Sequence, residues 1–265
     1  MLLLAAVLLV QQGGWRPTTD NVSRFPTDLK PAARAAVLAR LDPLLPIIKA
    51  ALTTDGVQFQ AARSFADDPS LPGGPWPLNV SLYGYEASAR FGFEGEAATV
   101  IDVFANDLSP MLYTLLDEPR TYRTRDQPGV FMLTRGTSPP WKPVSQREFA
   151  RRLRTYLTPR AARDRMAKMS LDRLEADYGA ASDAPMLLPE NYHAASSGYW
   201  PGLSGAVHQV VDLDSSYFAG RPRDALEVLV LKGGVNNPWA HPVAARRLRA
   251  FWTRLDRDAL RRLLQ

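Results

Sequence analysis

The chain has no cysteine, three histidines and five lysines in 265 residues. Without a thiol it cannot build a disulfide framework, a Cys-ligated zinc or iron–sulfur centre, or a thiol nucleophile. His193, His208 and His241 are too widely spaced to hold a metal from adjacent turns of a helix. Ser204 lies in Gly-Leu-Ser-Gly-Ala and lacks the second glycine of the Gly-x-Ser-x-Gly elbow. Gly73-Gly74 and Gly233-Gly234 match neither a phosphate-cradling loop nor a dinucleotide fingerprint. No cofactor is expected, and no metal site. No apolar run reaches the roughly 20 residues that a membrane-spanning helix needs.

Against these absences stands an apolar start, Met1 to Val10 (MLLLAAVLLV), followed by Gln-Gln-Gly-Gly. Its position and purity fit the h-region of a secretory signal peptide, although no basic residue precedes it and no small-x-small triplet follows. Residues 1–14 are therefore read as a signal peptide, which places the protein in the periplasm or outside the cell. The alternative is a buried N-terminal strand or helix. Residues 15–265 are read as a single α+β domain, with a subdivision near 136–145. Hydrophobic content of 46% is ample for a core, while 22 prolines and 17 glycines cut the chain into short elements. The expected fold is α+β, a mixed or antiparallel sheet flanked by helices near 28–52, 146–178 and 242–264.

Charge is unevenly spread. From Arg120 to Arg173 there are 14 Lys/Arg against 4 Asp/Glu, and Arg246 to Arg262 holds seven more arginines. Basic helices can meet anionic lipid or polymer, although the ordinary explanation is a solvated helix face, where helices carry their charges. The best-specified local event is a helix start. Ser145 and Glu148 have the capping-box spacing, and Val144 and Phe149 the hydrophobic-staple spacing. A stiff connector of three prolines, Pro139 to Pro143, precedes it. Thr158-Pro159 reads as a cap and restart, after which Met166, Met169, Leu174 and Tyr178 are expected to face the core. Pro110 to Asp117 reads as a short helix and Arg120 to Arg125 as an exposed edge strand. Asp42-Pro43 reads as another cap and restart. Thr99–Asp117 and Leu226–Leu255 each read as strand, Asn-containing turn and helix, which would make two similar halves.

Two groups of residues are candidates for a site. On the strand after Ala206, His208, Asp212 and Asp214 share parity, so they could bind a hydrated cation or act as an acid–base pair. Val207, Val211 and Leu213 would then face the core. Simple alternation of a half-buried strand is the competing explanation. The loop with Tyr192, His193, Tyr199 and Trp200 combines aromatic area with polar handles, as a binding surface for glycans or proteins does. Packing of those rings onto the core competes with that reading.

The segments Gly129-Val-Phe-Met-Leu-Thr-Arg and Pro140-Trp-Lys-Pro-Val-Ser-Gln-Arg-Glu-Phe resemble one in exported bacterial proteins of unknown function. There a Trp-x-Pro-Val-Ser/Thr segment introduces a helix. The closing Phe251-Trp252-Thr-Arg-Leu255-Asp256 is similar to the end of the same proteins. The resemblance implies an envelope or secreted location and carries no catalytic residue. The expectation is a non-catalytic binding module whose partner is an envelope protein or glycan. A carboxylate-dependent hydrolase of an extracytoplasmic polymer and a peripheral binder of anionic membrane are the alternatives; a nucleic-acid partner is not expected.

Overall fold

The computed structural model describes residues 14–21, 29–66, 74–86, 99–117, 119–178, 182–190, 192, 206–235 and 242–264. The N-terminal apolar run, His193, Tyr199 and Trp200 lie outside them. In chain order the elements begin β1 (Gly14–Trp15), β2 (Thr19–Asn21), α1 (Pro31–Leu38), α2 (Leu44–Ala51), β3 (Val57–Phe65), β4 (Leu78–Glu86) and β5 (Thr99–Ala105). Next come β6 (Leu112–Asp117), β7 (Arg120–Thr124), β8 (Val130–Thr134), β9 (Trp141–Pro143), α3 (Gln146–Ala161) and α4 (Arg165–Tyr178). The chain ends with β10 (Leu187–Pro189), β11 (Val207–Leu213), α5 (Ser215–Phe218), β12 (Val228–Val235), α6 (Pro242–Arg254) and α7 (Arg257–Arg262). The fold is α+β, with one mixed and one antiparallel sheet. It divides into two compact units: residues 1–108, 129–137 and 218–265, and residues 109–128 and 138–217.

The first unit is built on a sheet of order β1-β3-β4-β5-β12-β8, with β2 also paired to β3. Strict alternation along β5 turns Ile101, Val103 and Ala105 inward, and β3 and β4 supply Phe59, Ala61, Val80 and Leu82. Leu38, Leu44 and Ile48 of α1 and α2, with Phe251 and Leu260 of α6 and α7, complete that core. Helix α6 lies so close to β12 that a Cβ on Gly233 would come within 2.6 Å of Leu248. Asn106 ends β5 in a left-handed conformation (φ 57°), fully buried. Its Oδ1 accepts from the backbone N–H of Glu227 and Val228, and its Nδ2 donates to the carbonyls of Trp76 and Ala225. The Asp42 side chain does not cap α2; it pairs with Arg63.

The second unit is an antiparallel sheet of order β10-β11-β7-β6, with β9 also paired to β11. The helical hairpin α3–α4 covers one face, packing Phe149, Leu153, Leu157 and Leu174 with Val210, Leu188 and Met186. Ser145 caps α3 by accepting from the Glu148 N–H at 3.2 Å, and Val144 and Phe149 are both buried in that core. Glu148 does not complete the box, because its carboxylate takes Arg151 and Arg152 instead.

Several expectations fail here, each for a tertiary reason. The connector after Pro140 forms a short strand, β9. Leu112–Asp117 is a strand rather than a helix: it pairs with β7, and a bulge between Thr114 and Leu116 lets Leu115 and Leu116 both be buried. The strand–turn–helix pattern expected over Thr99–Asp117 therefore does not form, and the two halves are not alike. Strand β7 is not an edge; it lies between β6 and β11, with Thr121, Tyr122 and Arg123 buried. Helix α3 runs through Pro159, and the Thr158 hydroxyl donates back to the Arg154 carbonyl. The break falls at Ala162–Asp164, where Asp164 accepts from the Met166 N–H. In α4 the core side is Ala167, Ser170 and Leu174, whereas Met166 and Met169 face outward. The faces of β11 are also exchanged at its start: His208 and Val210 are buried, and Val207 is 60% exposed.

Candidate functional site

The residues with the most chemistry lie in the second unit, on the sheet face under α3 and at the far end of the α3–α4 hairpin. Register fixes the first group. Val210 is opposite Arg123, so His208, Val210 and Asp212 of β11 share a face with Thr121 and Arg123 of β7. Helix α3 places Arg152 over that face, one turn after Glu148 and beside the buried Leu153. Its guanidinium donates from Nη1 and Nη2 to the two oxygens of Asp212 at 2.6 and 2.8 Å. It also donates to Glu148 at 2.6 Å and to the Thr121 hydroxyl at 3.0 Å. A planar fork serving two carboxylates and a hydroxyl is a use for which Lys could not substitute. Arg151, then Arg152, holds the Glu148 carboxyl down to about 2.

Asp214, just beyond β11, is engaged differently. It accepts from the Lys142 ammonium at 2.8 Å and caps α5 by accepting from the Ser216 N–H and hydroxyl. Lys142, followed by Ser216, keeps its carboxyl below the ordinary range. His208 is 4% exposed; its Nδ1 lies 3.9 Å from the Asp126 carboxylate, and its Nε2 has no hydrogen-bond partner among the described residues. Alternate residues of a strand are about 6.6 Å apart, so His208 and Asp212 stand about 13 Å from each other. The structure thus sets the three predicted residues in a row without converging them; Asp212 and Asp214 are each committed to a cation. No group of three His, Cys, Asp or Glu side chains that could hold a metal occurs among the described residues.

Tyr192, at the start of the aromatic loop, is buried, and its carbonyl accepts from Arg123 at 3.3 Å. Arg123 also donates to the Pro189 carbonyl and lies 5.2 Å from the centre of the Tyr113 ring. Burial, reinforced by Arg125, pushes its guanidinium below the usual value. The backbone closes the base of the loop, Glu190 donating to Ala206 at 3.0 Å.

The hairpin end is different in character. Arg160 stacks on Tyr156 at 3.6 Å and donates to its carbonyl. Beyond it Arg163, Arg165, Lys168 and Arg173 are exposed, and none has a carboxylate partner among the described residues. Met166 and Met169, 42% and 47% exposed, stand among them.

Arg152 and Arg123 escape a reading by motif. The sequence does signal Arg152 faintly: it follows Glu148 by four residues and precedes the stripe residue Leu153. Its bond to Asp212, sixty positions away, leaves no local trace. In the first unit Asp102 is another polar group set on a sheet face. Burial raises its carboxyl, against the lowering effects of the Ser81 hydroxyl at 2.6 Å and of Lys232. Comparison of the chain with known protein families, curated proteins and solved structures gave no match.

Proposed function

We propose that this chain is a non-catalytic binding protein of the bacterial envelope, which meets a polyanionic partner through the exposed end of the α3–α4 hairpin. The observation that carries this reading is the contrast between two sets of charges in one unit. Asp212 and Asp214, the residues nearest to an acid–base pair, are held in ion pairs with Arg152 and Lys142. Arg163, Arg165, Lys168 and Arg173 face water with no carboxylate partner among the described residues. Folding has no use for such a cluster, since like charges on one helix end repel. A partner carrying anions relieves that repulsion. The envelope location rests on the N-terminal apolar run and on the resemblance of the Trp141-Lys-Pro-Val-Ser segment to exported proteins.

Retention of the full chain on an immobilised sulfated polymer at low salt tests the reading. The chain should be retained, and the variant Arg163→Gln/Arg165→Gln/Lys168→Gln/Arg173→Gln should elute with the void while melting as the parent does. Equal retention of the two proteins would overturn the proposal.

A further inference from the structure

We infer that the polyanion is the surface of an anionic lipid bilayer, and that Met166 and Met169 are the side chains that enter it. This deepens the reading above and depends on it. An anionic polysaccharide or nucleic acid is held by cations together with hydrogen bonds and aromatic stacking, and the exposed thioethers of Met166 and Met169 supply neither. A membrane interface asks for both, cations for the headgroups and apolar groups for the acyl boundary.

The end of the hairpin meets both requirements. From Arg154 to Met169 there are five Lys/Arg against Asp164 alone. The Asp164 carboxylate is occupied in accepting from the Met166 N–H at 2.8 Å. The α4 N-terminus opens at this point, and its aligned peptide dipoles add positive potential. At about 100° per residue, Met166, Met169 and Arg173 fall on one stripe of α4, with Arg165 beside it. Asp172 is the remaining carboxylate between Arg163 and Arg173, one turn further from the hairpin end than Lys168. The inward side of the helix, Ala167, Ser170 and Leu174, is already buried, so the methionines are not displaced core residues. Methionine suits this position because its unbranched thioether adapts to a disordered acyl environment. The helix is too short and too charged to cross the bilayer, and no described helix is long and apolar enough to do so. It lies on the surface.

Sedimentation of the full chain with phosphatidylcholine vesicles, with and without phosphatidylglycerol, tests the inference. The chain should pellet with the anionic vesicles at low salt and remain in solution with the neutral ones. Replacing Met166→Ser and Met169→Ser should weaken partition about tenfold, since two half-exposed apolar side chains are lost. Each neutralised cation should weaken it about fivefold. Because the chain has no cysteine, Met169→Cys offers a single attachment point for an environment-sensitive fluorophore. Its emission should shift to the blue on anionic vesicles and stay unchanged on the sulfated polymer. If the polymer retains the chain but the vesicles do not, or the serine variant partitions like the parent, the lipid inference fails while polyanion binding stands. Loss of retention on both removes the broader reading as well.

Discussion

Arg152 shows how a single side chain can be essential to a fold and invisible in a motif. Its side chain is about nine-tenths buried, and the guanidinium joins helix α3 to both strands beneath it, through Asp212 on β11 and Thr121 on β7. Truncation would leave the Asp212 carboxylate half-buried without its partner, so Arg152→Ala should cost about 2–3 kcal/mol in urea unfolding. Arg152→Lys should recover only part of that, because an ammonium cannot donate in a parallel fork. If Arg152→Ala unfolds like the parent, the pair is a surface ornament. Glu148 sets a pH dependence of known sign. Its carboxyl is held down to about 2 by Arg151 and Arg152, against an ordinary value of 4.5. A depressed carboxylate stabilises the fold fully above its unfolded value, and that contribution is lost as pH falls from about 4.5 to about 2. The melting temperature of the parent should drop across this window more steeply than that of Glu148→Gln. Parallel curves for the two proteins would contradict the assignment. The same economy applies to the hydrolase alternative: Asp212→Asn/Asp214→Asn should leave polyanion binding in place, and loss of a hydrolytic activity in that variant would restore the catalytic reading.

At the scale of elements, α6 packs tightly on β12 in the first unit. A Cβ at Gly233 would meet Leu248 at 2.6 Å and Trp252 at 3.0 Å, whereas a Cβ at Gly234 would meet nothing within 4 Å. Gly233→Ala should therefore destabilise by about 1–3 kcal/mol through overpacking. Gly234→Ala should be near neutral or slightly stabilising, by removing freedom from the unfolded chain. Equal thermal shifts for the pair would mean that the helix moves away freely. In the second unit the hairpin α3–α4 breaks at Ala162–Asp164 and not at Pro159. That placement matters to the proposed function, because it puts Arg163 and Arg165 at the turn and Met166 in the first turn of α4.

For the whole molecule, the two basic clusters of the sequence have different fates. Around α6 and α7, Arg247 is buried and donates to the Asp55 carbonyl, Arg257 lies 4.4 Å from the centre of the Phe131 ring, and Arg261 pairs with Asp258. Much of that charge has a role within its own unit. The hairpin end has cations without such roles. Arg246→Gln/Arg249→Gln should therefore change retention on the sulfated polymer less than the substitution of any two of Arg163, Arg165, Lys168 and Arg173. The reverse order would move the binding surface to the first unit. Retention of the parent should fade as salt rises, since screening shortens the reach of exposed charges from about 10 Å at 0.1 M to about 3 Å at 1 M.

What the sequence determined by itself is the local and periodic part. The strand readings after Thr99 and Leu226 placed β5 and β12, helical spacing placed α3 and α6, and the Ser145 cap with its Val144 and Phe149 staple set one helix start. These depend on neighbours within about one and a half turns of chain, which any reader of the chain can see. Three matters were left to tertiary structure. Leu112–Asp117 became a strand because a partner strand was available at β7, and pairing outweighs the weak local preference of so short a segment. The methionines of α4 turned outward because the core side of that helix was filled by Ala167, Ser170 and Leu174, and period alone does not say which of two half-apolar faces packs. Asp212 and His208 acquired their surroundings from Arg152 and Asp126, far along the chain. Charge partners are chosen by folding, and that choice separated the carboxylates held inside the fold from the cations left to meet a partner.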